Sequence, residues 1–218
     1  MTKQKGKAKY ADNVLAARNG VMAQPTTMSI VMFLGHDVKE YKSRHNEIIN
    51  QQIKEGKILC EQCLQSVAIH SNYKRGVKET GEQIDITMIW CSKCKIWHAL
   101  LPDFLSPHKQ YSCNEIESVI IDSGVVDNIN EIDTKASEST VRRWINQISE
   151  RIGRTISVLK YIFGRIGHTL NEVAIKVGFV YSELEQVLEM APITIKYSGN
   201  KLGLANLWLG TNDIKPYI

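Results

Sequence analysis

Two Cys-x-x-Cys pairs, Cys60/Cys63 and Cys91/Cys94, stand 27 residues apart and are the side chains here best suited to chemistry. Each such turn brings two sulfurs to one side of the backbone, and two turns facing each other supply the four thiolates of a tetrahedral zinc site. Four thiolates close the coordination sphere and leave no place for an activated water. The cofactor this implies is structural Zn2+, held by Cys60, Cys63, Cys91 and Cys94, and not a hydrolytic ion. The competing readings are a thioredoxin-like redox pair, which lacks a βαβ context, and two disulfides, which a fifth cysteine (Cys113) and a reducing compartment disfavour. His70 and His98 lie near the pairs, but with four thiols present both are read as non-ligands.

A second stretch with chemical character runs from Ala136 to Ile148. Val141, Trp144, Ile145, Ile148 and Ile152 fall at i, i+3, i+4, i+7 and i+11, one face of a helix. The residues set against them are Ser139, Thr140, Arg142, Arg143 and Gln147, with Arg151 a turn further on. Hydroxyl, guanidinium and amide groups on the first turns of a helix are the types that read base edges and phosphates in a major groove. These six are the candidate DNA-binding residues, with Ser137 or Ser139 as the helix cap. The plain alternative is an amphipathic helix with a solvated basic face.

Charge distribution sharpens this. The net charge of +4 comes from residues 1–27, where Lys3, Lys5, Lys7, Lys9 and Arg18 outnumber Asp12; the remaining 191 residues hold 22 basic and 22 acidic side chains. Global electrostatics therefore does not argue for DNA, and only local clustering can. Residues 113–133 carry six acids and no Lys or Arg, whereas 139–165 carry Arg142, Arg143, Arg151, Arg154, Lys160 and Arg165 against Glu150 alone. The basic stripe begins at the proposed reader helix.

The elements that must position these groups follow from periodicity. Residues 1–27 are polar and Lys-rich, and read as a flexible tail. A short strand is expected over Ser29–Leu34, then a helix over 37–56 with Val38, Tyr41, His45, Ile48, Ile49 and Ile53 at helical spacing and Gly56 as its stop. Ile84, Ile86, Met88 and Trp90 alternate in a strand that runs into Cys91, with Gly76 and Gly81 expected in turns. Two prolines make Leu100–Lys109 read as a packed linker. Helices are expected over about 112–122, 126–134, 139–152, 154–166, 169–177 and 181–190, and Asn200–Gly210 is expected to dock on the last of these. A weaker second helix-turn-helix is legible from Glu172 through Gly178 to Leu188, but Glu183, Glu185 and Glu189 suit it to packing or protein contact.

One segment, CSKCKIWHALLPDFLSPHKQYS at 91–112, followed by SESTVRRW at 137–144, resembles a bacterial domain family of unknown function related to the N-terminal regions of insertion-sequence transposases. The resemblance spans roughly residues 28–210. It implies a zinc ribbon joined by a Leu-Pro-x-Phe-Leu linker to a helix-turn-helix, and DNA binding in a mobile-element setting. Cys60, Cys63, Cys91 and Cys94 match the metal positions, and Arg142, Arg143 and Trp144 match the recognition-helix signature. The chain departs from a standard helix-turn-helix at Val125–Thr134, which is acidic and lacks the usual Ala and Gly punctuation.

The expected fold class is α+β: a small zinc-ribbon β module followed by a mainly α-helical helix-turn-helix region. The expected divisions are a basic tail at 1–27, the ribbon at 28–110, the DNA-binding helices at 111–166 and a packing or interaction segment at 167–218. No run of about 18 apolar residues and no leader of the secretory type is present, which suggests a cytoplasmic protein. The expected partner is DNA, with a transposase or another protein as a second partner through the C-terminal helices. The alternative is an interaction adaptor or a transcriptional regulator outside transposition. A self-contained transposase or nuclease would need strand-borne carboxylates for two metal ions, which the roughly 65 helical residues after the reader do not offer; no enzyme activity is expected, and Cys113 is a poor lone nucleophile.

Overall fold

The computed structural model describes residues 27–166, 180–191 and 195–210. Of the tail expected over 1–27, residues 1–26 lie outside the described residues and Thr27 instead opens a strand; the helix over 169–177 and the first half of the second helix-turn-helix also lie outside them.

Four strands, β1 (Thr27–Met32), β2 (Ala68–Val77), β3 (Glu82–Cys91) and β4 (Ile96–Pro102), form one sheet of order β1-β4-β3-β2, in which β2 is the mostly polar and exposed edge. β2 and β3 make a hairpin whose turn passes through Gly81 at φ +71°, a left-handed conformation that glycine adopts without strain. Gly76, expected in a turn, instead lies inside β2 opposite Gln83. β4 runs antiparallel to β3, with Trp97 opposite Trp90, and parallel to β1, with Ile30 opposite Leu100. The β module is therefore a mixed sheet completed by a strand from upstream of the cysteines.

The parallel pairing of β1 with β4 needs a crossover, and its first element is α1 (Val38–Lys54). Asp37 caps it by accepting the Glu40 N–H at 2.8 Å, while the Glu40 carboxylate accepts the His36 N–H at 2.9 Å. Tyr41, His45 and Ile49 form its buried stripe, and the Tyr41 hydroxyl donates to the Asp85 carbonyl on β3 at 2.7 Å. The helix expected over 37–56 is present.

The linker expected over Leu100–Lys109 begins later than its prolines suggest. Leu100 and Leu101 are buried in β4 between two neighbouring strands, and Pro102 closes the strand where its missing N–H does no harm. Residues 103–112 then form a packed strap. The Asp103 N–H donates to Met32, the Cys113 N–H donates to Phe104, and Leu105 bridges to Ser112.

After the strap come α2 (Cys113–Ser123), a single 3-10 turn (Ile129–Glu131) and α3 (Glu138–Arg165). The second helix expected over 126–134 is reduced to that turn. Asn128 folds its side chain back onto the Asn130 N–H at 3.0 Å, an alternative to helical bonding that short polar side chains favour. Conversely, the two helices expected over 139–152 and 154–166 are one helix of 28 residues. Gly153 in its middle costs up to about 1 kcal/mol relative to alanine. Burial of Ile152, Ile156, Leu159, Ile162 and Phe163 along one continuous stripe outweighs that cost.

Two further helices are described, α4 (Val180–Glu189) and α5 (Lys201–Gly210). Leu202 to Leu209 are all buried, so α5 is an internal helix apolar on every side. Leu204, Ala205 and Trp208 join the helical core with α2, α3 and α4, whereas Leu207 joins the core between α1 and the sheet. α5 thus docks on α4 as expected and also on α2, α3 and β1. Its contact with the strap is close: a Cβ at Gly203 would collide with the Asp103 carbonyl and the Asn200 side chain.

Candidate metal centre and nucleic-acid interface

The two Cys-x-x-Cys turns are built alike. In the first, the Leu64 N–H donates to the Cys60 carbonyl at 2.8 Å; in the second, the Lys95 N–H donates to the Cys91 carbonyl at 2.9 Å. Leu64 and Lys95 both take positive φ, 56° and 58°. That conformation costs a non-glycine residue on the order of 1–3 kcal/mol, and the same strained residue recurs just after each pair. What the two turns achieve is convergence: one sulfur from each of Cys60, Cys63, Cys91 and Cys94 lies within 4.8 Å of all the others.

All five cysteines are free thiols, and the Cys63 and Cys91 sulfurs stand 3.5 Å apart. A tetrahedral ion with metal–sulfur bonds of about 2.3 Å spaces its sulfurs by roughly 3.8 Å. The cluster could hold a metal ion, and its all-thiol donor set is consistent with zinc. At this spacing the thiols perturb one another. The Cys94 N–H, donating to the Cys91 sulfur at 3.4 Å, draws the Cys91 thiol down to about 7. Hydrogen bonding to Cys63, followed by burial, pushes Cys94 up to about 12. Four sulfurs this close cannot all ionise without a dication to balance them.

The remaining chemistry-bearing side chains near the strands fall outside this cluster. His70 packs edge-on against Trp97 with ring centroids 4.3 Å apart. His98 is fully buried in β4, and burial pulls its imidazole below the usual range, so it stays neutral. Cys113 is buried under the strap, where desolvation pushes its thiol well up and keeps it protonated.

The six residues singled out on α3 divide into two groups. Ser137 occupies the cap position, but its hydroxyl contacts those of Ser139 and Thr140, at 3.2 and 2.9 Å, and caps no backbone N–H. Arg142 is tied to Glu138 on its own helix, with Nη2 2.6 Å from the carboxylate. Thr140, Arg143, Gln147 and Arg151, by contrast, form one wall of a cleft of about 640 Å³. Facing them are Lys78, from just after β2, and His108, Lys109 and Tyr111 of the strap. Among the described residues, no carboxylate lines this cleft. Lys78, His108 and Lys109 were not legible as site residues. His108 and Lys109 lie in the stretch read as linker, and only the packing of the strap on α3 brings them to the basic face.

No curated protein and no solved structure matches the chain. Residues 60–144 match a family described as Domain of unknown function (DUF6431), a span that opens at the first cysteine of the cluster and closes at Trp144, the buried anchor of α3.

Proposed function

We propose that this is a zinc-stabilised DNA-binding protein, associated with transposition or a mobile element, that carries no catalytic domain of its own. The observation that carries the reading is the α3 wall of Thr140, Arg143, Gln147 and Arg151, facing a cleft that no described carboxylate lines. Zinc fits the four-thiol cluster as a closed structural centre. It would hold β3, β4 and the loop at 60–65 together, and through them the strap that packs on α3. The resemblance to transposase N-terminal regions supports the mobile-element setting. The adaptor reading draws on the acidic α4, but there Glu183 is committed to Lys160 of α3 at 2.9 Å, which favours internal packing.

The test is fluorescence anisotropy of the zinc-loaded full chain with a labelled DNA duplex over roughly 50–200 mM salt. Affinity should fall steeply with salt, and Arg142→Ala/Arg143→Ala should weaken binding by about 1–3 kcal/mol per base-reading side chain removed while leaving zinc content unchanged. Unchanged binding in that variant removes the reader assignment. Salt-insensitive binding to a protein with none to DNA replaces the reading with the adaptor.

A further inference from the structure

The cleft beside α3 has a second wall, and that wall is built to stay in place. The Arg75 guanidinium, reaching from β2, donates to the Ser106 carbonyl at 2.6 Å and also to the Lys109 carbonyl. The Lys78 N–H donates to the Gln110 carbonyl at 2.9 Å, closing the strap onto the end of the hairpin. Between these anchors His108 is held at φ +62°, a strained conformation that persists only where the surroundings impose it. The Lys109 ammonium then bridges the cleft to the Gln147 side-chain oxygen on α3.

The result is four permanent cations, Lys78, Lys109, Arg143 and Arg151, around one cavity with no described carboxylate in its lining. The like charge gathered here by Lys78, Lys109 and Arg143 is a cost that an anion would relieve. Partial burial, together with Arg143 and Arg151 nearby, holds the Lys109 ammonium below the usual lysine range. The chemistry suits phosphate: lysine ammoniums act as point charges, and a guanidinium can bond two phosphate oxygens at once. At about 640 Å³ the cleft has room for phosphate groups.

We propose that this cleft is a phosphate-binding site, formed jointly by the strap and α3, and that its occupants are backbone phosphates of a nucleic-acid strand. The identity of the polymer rests on the DNA-binding function proposed above; the phosphate site does not. The strap fixes the strand's backbone, and α3 is thereby set in register against it.

Two measurements separate the claims: calorimetric titration of the zinc-loaded full chain with inorganic pyrophosphate at low ionic strength, and anisotropy with labelled duplex DNA. Wild type should bind pyrophosphate, and pyrophosphate should displace DNA. Lys78→Gln/Lys109→Gln should abolish pyrophosphate binding and lower the salt slope of DNA binding by roughly 1 for each phosphate no longer neutralised. Lys78→Gln alone, an exposed change that leaves the Lys109 to Gln147 bond intact, should weaken both, and its urea midpoint guards against misfolding. Lys54→Gln on α1, outside the cleft, should change neither. Absence of pyrophosphate binding by wild type, or unaltered binding in both cleft variants, overturns the site. Pyrophosphate binding without any DNA binding sustains the site with a free phosphate compound as ligand, and removes the DNA-binding function instead.

Discussion

The Arg75 guanidinium on β2 donates to the Ser106 carbonyl of the strap at 2.6 Å, across 31 residues of sequence. Arg75 is only partly exposed, and its main partners here are backbone carbonyls of the strap. Desolvation draws its guanidinium below the ordinary arginine range. Replacing Arg75 with Met keeps the apolar stem and removes the donors, leaving the Ser106 and Lys109 carbonyls without them. The expected loss of stability is about 1–3 kcal/mol, read from the urea midpoint. The same variant should weaken DNA binding, because the strap residues it releases include His108 and Lys109.

Metal removal should act on the fold as a whole. Each thiol must lose its proton to bind zinc, so affinity falls with falling pH, and chelation should lower stability on the order of several kcal/mol. Elemental analysis should find about one zinc per chain in the wild type. Cys60→Ser should bind no zinc, whereas Cys113→Ser, outside the cluster, should retain it. Equal zinc content in all three proteins would mean the ion sits elsewhere.

Asp103 gives a pH dependence of opposite sign. It is fully buried in the strap and accepts the Ser198 N–H at 2.6 Å, and burial pushes its carboxyl from 3.8 up to about 6. Because the folded value is raised, the stabilisation is fully present below the unfolded pKa of 3.8, is lost as pH rises through about 6, and stays level above that. A shift of about two units corresponds to roughly 3 kcal/mol. Asp103→Asn keeps the acceptor for Ser198 and cannot ionise. The difference in urea midpoint between the two proteins should therefore grow in favour of the Asp103→Asn variant from pH 4 to 6, with zinc present in both; a constant difference would contradict the assignment.

How far the sequence reveals this molecule depends on how local each signal is. The cysteine cluster was legible because a Cys-x-x-Cys turn fixes its own geometry, and α1 because its apolar stripe and its Gly56 stop lie within one segment. β4 was misread at Leu100 and Leu101: prolines at 102 and 107 suggested a linker, while the pairing that carries the strand on through Leu101 comes from β1, some 70 residues upstream. The join at Gly153 failed for a related reason, since only the tertiary burial of Ile152 and Ile156 shows that a helix can run through a glycine. The cleft residues Lys78, His108 and Lys109 carried no periodic signal at all. They come to line one cleft through contacts between segments that spacing alone does not bring together.

Arg142 and Arg143 are adjacent, and the sequence treats them as equals, but their surroundings differ. The Arg142 guanidinium makes two bonds to the Glu138 carboxylate, at 2.9 and 2.6 Å, an i, i+4 pair with both side chains about half exposed. Pairs of that kind contribute only a few tenths of a kcal/mol to a helix, but they offset the charge that a phosphate would otherwise meet. Arg143 points into the cleft beside Gln147 and Arg151. Arg143→Ala, which removes one of the cleft's cations, should therefore weaken DNA binding and lower its salt slope by roughly 1, and Arg142→Ala should do so markedly less. Glu138→Gln, which frees Arg142, should strengthen binding and steepen its salt dependence. Anisotropy titrations of the three single variants at two salt concentrations decide it. Equal losses at positions 142 and 143 would mean that the whole exposed face of α3, and not the cleft side alone, meets the DNA.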